Sequence, residues 1–206
     1  MLRTDRAVFR FPFMQQCCNI PSYQEKHMDI LNIIKARHSV RKYQNRPVDE
    51  ETLSRVLEAA HAAPTAANRQ PVRLLVIREK EQLEKLGRAA NIYGAPVAVV
   101  ACACRSKAWT REDGMNAAVI DASILTDHMM LEAASLGLGS VWICWFKADV
   151  LKREFDLPDD LEPVNILALG WSAQEPADPN RHDRQRIPMT ELLLPDSMKQ
   201  AEKNAL

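Results

Sequence analysis

The sequence has no excess of charge of either sign. Among its 206 residues, 27 lysines and arginines balance 27 aspartates and glutamates, so the formal net charge at pH 7 is zero. A protein that binds nucleic acid draws much of its affinity from an excess of basic residues that contact the phosphates. We therefore expect no nucleic-acid partner, although a local group of arginines can still bind a small anion.

Long apolar runs are also absent. The longest stretch without a charged side chain, residues 89–104, has 16 residues and contains Asn91, Gly94 and Pro96. A helix that crosses a bilayer needs about 20 predominantly apolar residues. We therefore expect no membrane partner.

The sequence shows neither a secretory signal nor a disulfide framework. The arginines at positions 3, 6 and 10 are followed by no apolar segment and no small-residue cleavage site. The cysteines number five, an odd count in a chain of this size, and their spacing is not that of a secreted scaffold. We expect a cytoplasmic protein with reduced thiols; an organelle-targeting N-terminus is the alternative.

Several catalytic motifs are missing. The sequence contains no Gly-rich phosphate loop of the P-loop kind, no Gly-x-Ser-x-Gly and no His-Glu-x-x-His. Gly137-Leu138-Gly139 lacks the third glycine of a dinucleotide-binding turn. These absences argue against an NTPase, a serine hydrolase and a zinc protease.

Two groups of potential metal ligands have simpler interpretations. Cys102 and Cys104 lie two residues apart on a predicted strand, and no second ligand pair at zinc spacing accompanies them. Asp121, His128 and Glu132 share one face of a predicted helix, where a polar seam is favoured over a metal cluster. We expect no metal.

Length and pattern predict one domain of mixed α and β structure. A chain of this length usually forms one domain, and we place it at residues 28–206 after a loosely ordered extension, residues 1–27. Apolar spacing and capping residues such as Asp49 predict helices, and short apolar runs predict strands. The predicted helices cover residues 28–37, 50–63, 79–90, 115–136, 147–155 and 190–194, and the predicted strands cover 72–78, 96–104, 141–145 and 164–169.

A basic cluster follows the first predicted helix. Arg37, Ser39 and Arg41 place two guanidiniums and a hydroxyl within five residues. A guanidinium matches a phosphate bidentately, and each such charge-assisted hydrogen bond contributes about 1.5–3 kcal/mol. Taken alone, the cluster is equally well interpreted as a basic helix end that complements the helix dipole.

Two further segments suggest a flat, phosphorylated ligand. Residues 64–71 form a turn of small residues in which Asn68 and Gln70 lie between two prolines, so a ring can approach the backbone while the amides contact its polar edge. Near the end of the chain, Arg184 and Arg186 form a second pair of alternate arginines. Each segment is also compatible with an ordinary surface turn.

The order and content of these segments resemble the FMN-dependent nitroreductase family. The family carries an Arg-x-Ser-x-Arg/Lys-x-aromatic motif, a Pro-Ser/Thr-x-x-Asn-x-Gln-Pro loop, a Gly-Leu-Gly-Ser/Thr-x-Trp-Ile strand and an Arg-x-Arg-x-Pro segment. The corresponding segments here are RHSVRKY at 37–43, PTAANRQP at 64–71, GLGSVWICWF at 137–146 and RQRIP at 184–188. The resemblance covers roughly residues 28–194.

The resemblance implies an α+β three-layer sandwich, in which a central, mostly antiparallel sheet is flanked by helices. It also implies an intertwined homodimer with flavin sites shared between subunits. The long, largely apolar helix predicted at 115–136 fits such a contact.

The resemblance further assigns residues to the cofactor. Arg37 and Ser39 would hold the FMN phosphate and ribityl chain together with Arg184 and Arg186, and Arg41 would lie near the pyrimidine edge of the ring. The loop from Pro64 would come from the opposite subunit, and the backbone of Cys144 or Trp145 would face flavin N5. The full implied set is Arg37, His38, Ser39, Arg41, Pro64, Thr65, Ala66, Asn68, Gln70, Gly139, Ser140, Ile143, Cys144, Trp145, Arg184 and Arg186.

The implied activity is reduction of nitroaromatic, quinone or related small acceptors by NADH or NADPH through FMN, by ping-pong hydride transfer and with no catalytic side chain. Two alternatives stay open: other chemistry on the same fold, such as reductive dehalogenation or flavin–oxygen chemistry, and a flavin-binding redox module without efficient turnover. One departure is that family members often have glycine where this chain has Cys144-Trp145. Trp145 would therefore stack on substrates or restrict access to the pocket.

Overall fold

The computed structural model describes residues 29–194, which form seven α-helices and one four-stranded sheet. The sheet order is β1-β2-β4-β3, and every neighbouring pair is antiparallel. The strands are β1 (Val72–Ile77), β2 (Val97–Cys104), β3 (Gly139–Ile143) and β4 (Leu161–Gly170). The helices are α1 (Ile30–Ala36), α2 (Glu50–Ala62), α3 (Lys80–Leu86), α4 (Ala118–Ser135), α5 (Ala148–Glu154), α6 (His182–Gln185) and α7 (Met189–Leu192).

Helices cover both faces of the sheet. Every residue of β2 is buried, and its side chains alternate between two apolar clusters because successive residues of a strand point to opposite faces. Val97 and Val99 pack with α2 and α4, whereas Ala98 and Val100 pack with α3 and α5. This arrangement confirms the predicted α+β sandwich with a central antiparallel sheet.

Helix α4 is the long central helix. It contributes Ala118, Ala122, Met129 and Ala133 to the core, and its 18 residues span about 27 Å. At its end, Gly137 adopts a left-handed φ of 80°, and the N–H of Leu138 donates to the carbonyl of Ala133 at 2.8 Å. This Schellman-type end turns the chain directly into β3.

The main elements match the predicted ones, and their bounds differ by a few residues. Strand β3 begins at Gly139 and ends at Ile143 because its pairing with β4 runs from Gly139–Gly170 to Ile143–Ile166. Cys144 and Trp145 therefore follow the strand. Helix α4 begins at Ala118, after the side chain of Asn116 accepts a hydrogen bond from the Ala118 N–H at 3.1 Å.

The domain prediction extends beyond the residues that the structure covers. The predicted extension, residues 1–27, and the two ends of the predicted domain, residue 28 and residues 195–206, lie outside the described residues. Within residues 29–194, none of the helices has the length and apolar character needed to span a bilayer.

Candidate functional site

The structure joins two motifs that are about 100 residues apart in the sequence. The segment after α1 runs parallel to the start of β3: Ser39 pairs with Ser140, and the Val40 N–H donates to the Ser140 carbonyl at 2.8 Å. A Cβ on Gly139 would lie 2.8 Å from a methyl group of the buried Val40. Glycine at 139 is therefore required for this close approach.

A cavity of about 260 Å³ opens where these segments meet. Arg37 and His38 line one side of it, and Gly139 and Ser140 line another. The Nε2 atom of His38 is buried and has no hydrogen-bond partner within residues 29–194. A buried polar atom of this kind requires a partner, and a polar ligand in the cavity can supply it.

Arg37 lines this cavity, and the charges of two further arginines act on it. The pKa of the half-buried Arg37 lies below its usual value, first because burial disfavours the charged form, and then because of the charges of Arg181 and Arg186; Asp127 opposes the shift. Burial and the neighbouring groups together disfavour the charged form of Arg37. An anion that binds beside Arg37 would stabilise that charged form. We call Arg37, Arg181 and Arg186 the arginine cluster.

Arg181 fastens the turn at residues 179–181 to the end of α1. Its guanidinium donates to the carbonyls of Lys35 at 2.8 Å, Arg37 at 2.5 Å and Asp178 at 2.9 Å, and His182 Nε2 lies 3.2 Å from the same Lys35 carbonyl. These contacts satisfy carbonyls that the last turn of α1 leaves without intrahelical partners. Sequence reasoning missed Arg181; the unpaired carbonyls at the end of α1 were the one signal that a donor was required.

Arg184 has a partner within its own turn. Its guanidinium forms an ion pair with Asp178 at 2.8 Å, and its side chain is 75% exposed. The turn formed by residues 178–186 brings these two residues together. Arg184 is thus paired with Asp178, whereas Arg186 is exposed and its charge contributes to the lowered pKa of Arg37.

The loop at residues 64–70 forms the small-residue turn that the sequence predicts. Ala67, Asn68 and Gln70 all have φ near +50°, a conformation that residues other than glycine rarely adopt. The Gln70 N–H donates to Thr65 Oγ1 at 3.1 Å, and the Gln70 side chain donates to Asn68 Oδ1 at 3.0 Å. The side chains of Asn68 and Gln70 are exposed, so they are free to contact a ligand.

Within a single chain, this loop lies away from the arginine cluster. The loop is fastened to the start of α4, where the Ala66 N–H donates to Asp121 Oδ1 at 2.8 Å. The cavity beside Arg37 is lined by Ala134, near the other end of α4. Thirteen residues of helix separate Asp121 and Ala134, which corresponds to about 20 Å. The two groups of predicted residues therefore lie at opposite ends of the helix.

The remaining predicted residues are divided between core and surface. Arg41 lies over the ring of Tyr93, with 5.7 Å from the guanidinium carbon to the ring centre, and its N–H bonds to the side chain of Gln174. Ile143 is buried and Cys144 is exposed. Trp145 is 88% exposed, so its ring is available to a ligand or a second subunit.

The groups considered as metal ligands have other partners. Asp121 accepts from Ala66, His128 Nδ1 lies 3.0 Å from the Ile124 carbonyl, and Glu132 pairs with Arg55 at 2.8 Å. No cluster of three potential ligands occurs within residues 29–194. Burial raises the pKa of the Cys102 thiol to about 11, so this thiol is protonated at neutral pH.

An α+β sandwich with an arginine-lined cavity beside the sheet and an exposed aromatic ring defines a candidate cofactor-binding protein. Comparison with known proteins identifies its family. The model of the nitroreductase family matches residues 34–91 and 82–171. The chain belongs to the nitroreductase family, and it is therefore an oxidoreductase.

Individual relatives agree with this assignment. A protein of Methanothermobacter thermautotrophicus named "Putative NADH dehydrogenase/NAD(P)H nitroreductase" is 36% identical over 168 residues, which are 78% of this chain and 86% of the relative. A crystal structure of a nitroreductase family protein from Clostridium difficile 630 has 49% identity and a TM-score of 0.81, covering 83% of this chain and all of the other. An FMN-dependent nitroreductase from Clostridium difficile R20291 has 26% identity and a TM-score of 0.65, over 77% and 97% of the two chains.

Proposed function

We propose that this protein is an NAD(P)H-dependent FMN oxidoreductase that reduces nitroaromatic, quinone or related small acceptors. Membership of the nitroreductase family supports the reaction class. The names of two relatives, which specify NAD(P)H and FMN respectively, support the reductant and the cofactor.

The arginine cluster is the main structural support for FMN binding. A phosphate in the cavity would meet Arg37 and Arg186 while Arg181 holds the end of α1 in place. His38 Nε2, buried and without a partner, would gain one. The residues present therefore fit the phosphate end of FMN, because a doubly charged anion offsets the mutual repulsion of the guanidiniums.

The loop at 64–70 contacts Asp121 near the start of α4, whereas the cavity is lined by Ala134 about 20 Å further along that helix. This separation supports a site made by two chains. A homodimer would bring the loop of one subunit to the cavity of the other, so that Asn68 and Gln70 face the ring. The outer side of α4 is suited to this contact, because Val119 and Ile120 are apolar and about half exposed.

When bound, FMN would supply the electron transfer, and the chain would bind and orient the reactants. The arginine cluster would fix the phosphate, Asn68 and Gln70 would contact the polar edge of the ring, and the exposed Trp145 would offer a stacking surface to an aromatic acceptor. In this proposal no side chain forms a covalent bond with the substrate.

The first test measures FMN affinity. Arg37→Ala should weaken FMN binding by at least tenfold, since the phosphate loses a charge-assisted partner. Arg88→Ala is the matched control, because Arg88 pairs with Glu154 on the other side of the sheet and should leave the affinity unchanged. Equal FMN affinity in the wild type and Arg37→Ala would reject the phosphate site.

The second test follows turnover. The flavin absorbance of the reconstituted protein should be bleached by NADH or NADPH without oxygen and should return when a nitroaromatic or quinone is added. Bound FMN that neither nucleotide bleaches would instead favour a flavin-binding module without turnover.

A further inference from the structure

Asp121 is a fully buried carboxylate on the first turn of α4. Its exposed fraction is 0%, and it forms no ion pair with a basic residue of the described chain. Oδ1 accepts the Ala66 N–H at 2.8 Å, whereas Oδ2 is buried without a hydrogen-bond partner among residues 29–194. Burial of a carboxylate is costly unless the group is hydrogen-bonded or paired, so a purely structural role would be filled at lower cost by an apolar side chain.

The loop that Asp121 contacts has internal hydrogen bonds, but none of them accepts the N–H of Ala66. Residues 66–68 form one 3₁₀ turn, and Thr65, at the capping position, makes no side-chain hydrogen bond to that turn. Asp121 supplies the missing acceptor to the first N–H of the turn. The same loop contains three non-glycine residues with positive φ, and such a conformation persists only where surrounding contacts hold it.

We propose that Asp121 is a positioning residue for the flavin-facing loop: its carboxylate holds the Ala66 N–H, and the loop thereby presents Asn68 and Gln70 in their left-handed conformations. This inference rests on the proposed FMN site, because it assigns the buried charge to the preorganisation of that site.

The test compares three substitutions at position 121. Asp121→Leu and Asp121→Ala remove the acceptor, and the leucine fills a similar volume so that the core stays packed. Asp121→Asn keeps an oxygen that accepts the Ala66 N–H and replaces only Oδ2, with an amide NH2 group. Thr126→Val is the control: Thr126 is buried on the same helix, but it bonds Asn165 in the sheet at 2.8 Å and does not contact the loop.

Two measurements distinguish positioning from loss of stability. Hydrogen exchange followed by mass spectrometry should show at least tenfold faster exchange at residues 64–70 in the leucine and alanine variants, with asparagine close to the wild type. FMN titration should give a dissociation constant about tenfold higher for the same two variants, and the asparagine variant should restore the affinity. Thr126→Val should change neither quantity, even if it lowers the melting temperature.

The outcomes separate this inference from the proposed function. If loop exchange and FMN affinity are unchanged in Asp121→Leu or Asp121→Ala, or if Thr126→Val changes them equally, Asp121 has no positioning role. The FMN proposal itself is tested separately by the FMN affinity of Arg37→Ala, a substitution outside the loop. A protein that loses FMN affinity in Arg37→Ala but keeps it in all Asp121 variants retains the proposed function and refutes the inference.

Discussion

At the scale of single residues, the contact between Gly139 and Val40 determines how the cavity is built. The hydrogen bond from Val40 to Ser140 draws the segment after α1 against β3, and the absence of a side chain at 139 permits it. Because the Arg37 and His38 side chains leave the chain just before Val40, their position depends on this contact.

Gly139→Ala should destabilise the fold by about 1–3 kcal/mol, because the new methyl group overlaps Val40 at 2.8 Å. Urea unfolding measures the change. Val40→Ala should relieve the overlap, so the double variant should lose less free energy of unfolding than the two single losses added together. Strict additivity would mean that the two residues do not compete for this space.

Thiol reactivity is a second property decided at single residues. Cys102 is buried and its pKa is raised to about 11, whereas Cys144 is exposed. In a variant with serine at positions 17 and 18, a thiol reagent at neutral pH should modify Cys144 in the native protein and Cys102 only after unfolding. Bound FMN should slow the modification of Cys144 if this residue borders the ring. Similar native rates for Cys102 and Cys144 would contradict the structure.

At the scale of elements, α2 depends on the cap at its N-terminus. Asp49 accepts hydrogen bonds from the backbone N–H and the hydroxyl of Thr52, both at 2.8 Å, and these bonds hold its pKa below the ordinary value of 3.8. Since the folded pKa is depressed, the ionised cap stabilises the fold above about pH 3.8, and that contribution is lost as the pH falls through the folded pKa.

Asp49→Asn should keep the cap and remove this pH dependence, because an amide oxygen still accepts the Thr52 N–H. The melting temperature of the wild type should fall more than that of the variant between about pH 6 and pH 3. If the melting temperatures of the two proteins fall equally as the pH is lowered, protonation of Asp49 is not coupled to unfolding.

At the scale of the whole molecule, the outer side of α4 is the surface best suited to a second subunit. Val119, Ile120, Ile124 and Trp142 line a shallow groove there, and α4 connects the loop at 64–70 with the arginine cluster. A dimer through this surface would bury the groove and complete the flavin site in one step.

In the proposed homodimer, Ile120→Arg should shift the protein to a monomer and weaken FMN binding as well, because a charge in a buried apolar contact is strongly unfavourable. Analytical ultracentrifugation and FMN titration measure the two effects. Asp149→Arg, on α5 at the opposite face of the sheet, is the control. A wild-type protein that is monomeric but binds FMN would contradict the shared site.

The order of the motifs and the two-sided burial of β2 could be predicted because each depends on neighbours in the sequence. Apolar alternation, Asp49 before a helix and the turn residues 64–71 all act over a few positions. Arg181 could not be found in this way, since its partners Lys35 and Arg37 lie more than 140 residues earlier.

The sequence by itself determined the class of fold, the main helices and strands, and the segments that resemble a flavin site, because caps, periodicity and turn chemistry are local. Only the tertiary structure decided which partners the individual arginines have. Arg181 and Arg184 are three residues apart, yet one binds the end of α1 and the other pairs with Asp178. The physical reason is that such contacts depend on how the last turns pack against α1, and no pattern of neighbouring residues records that packing.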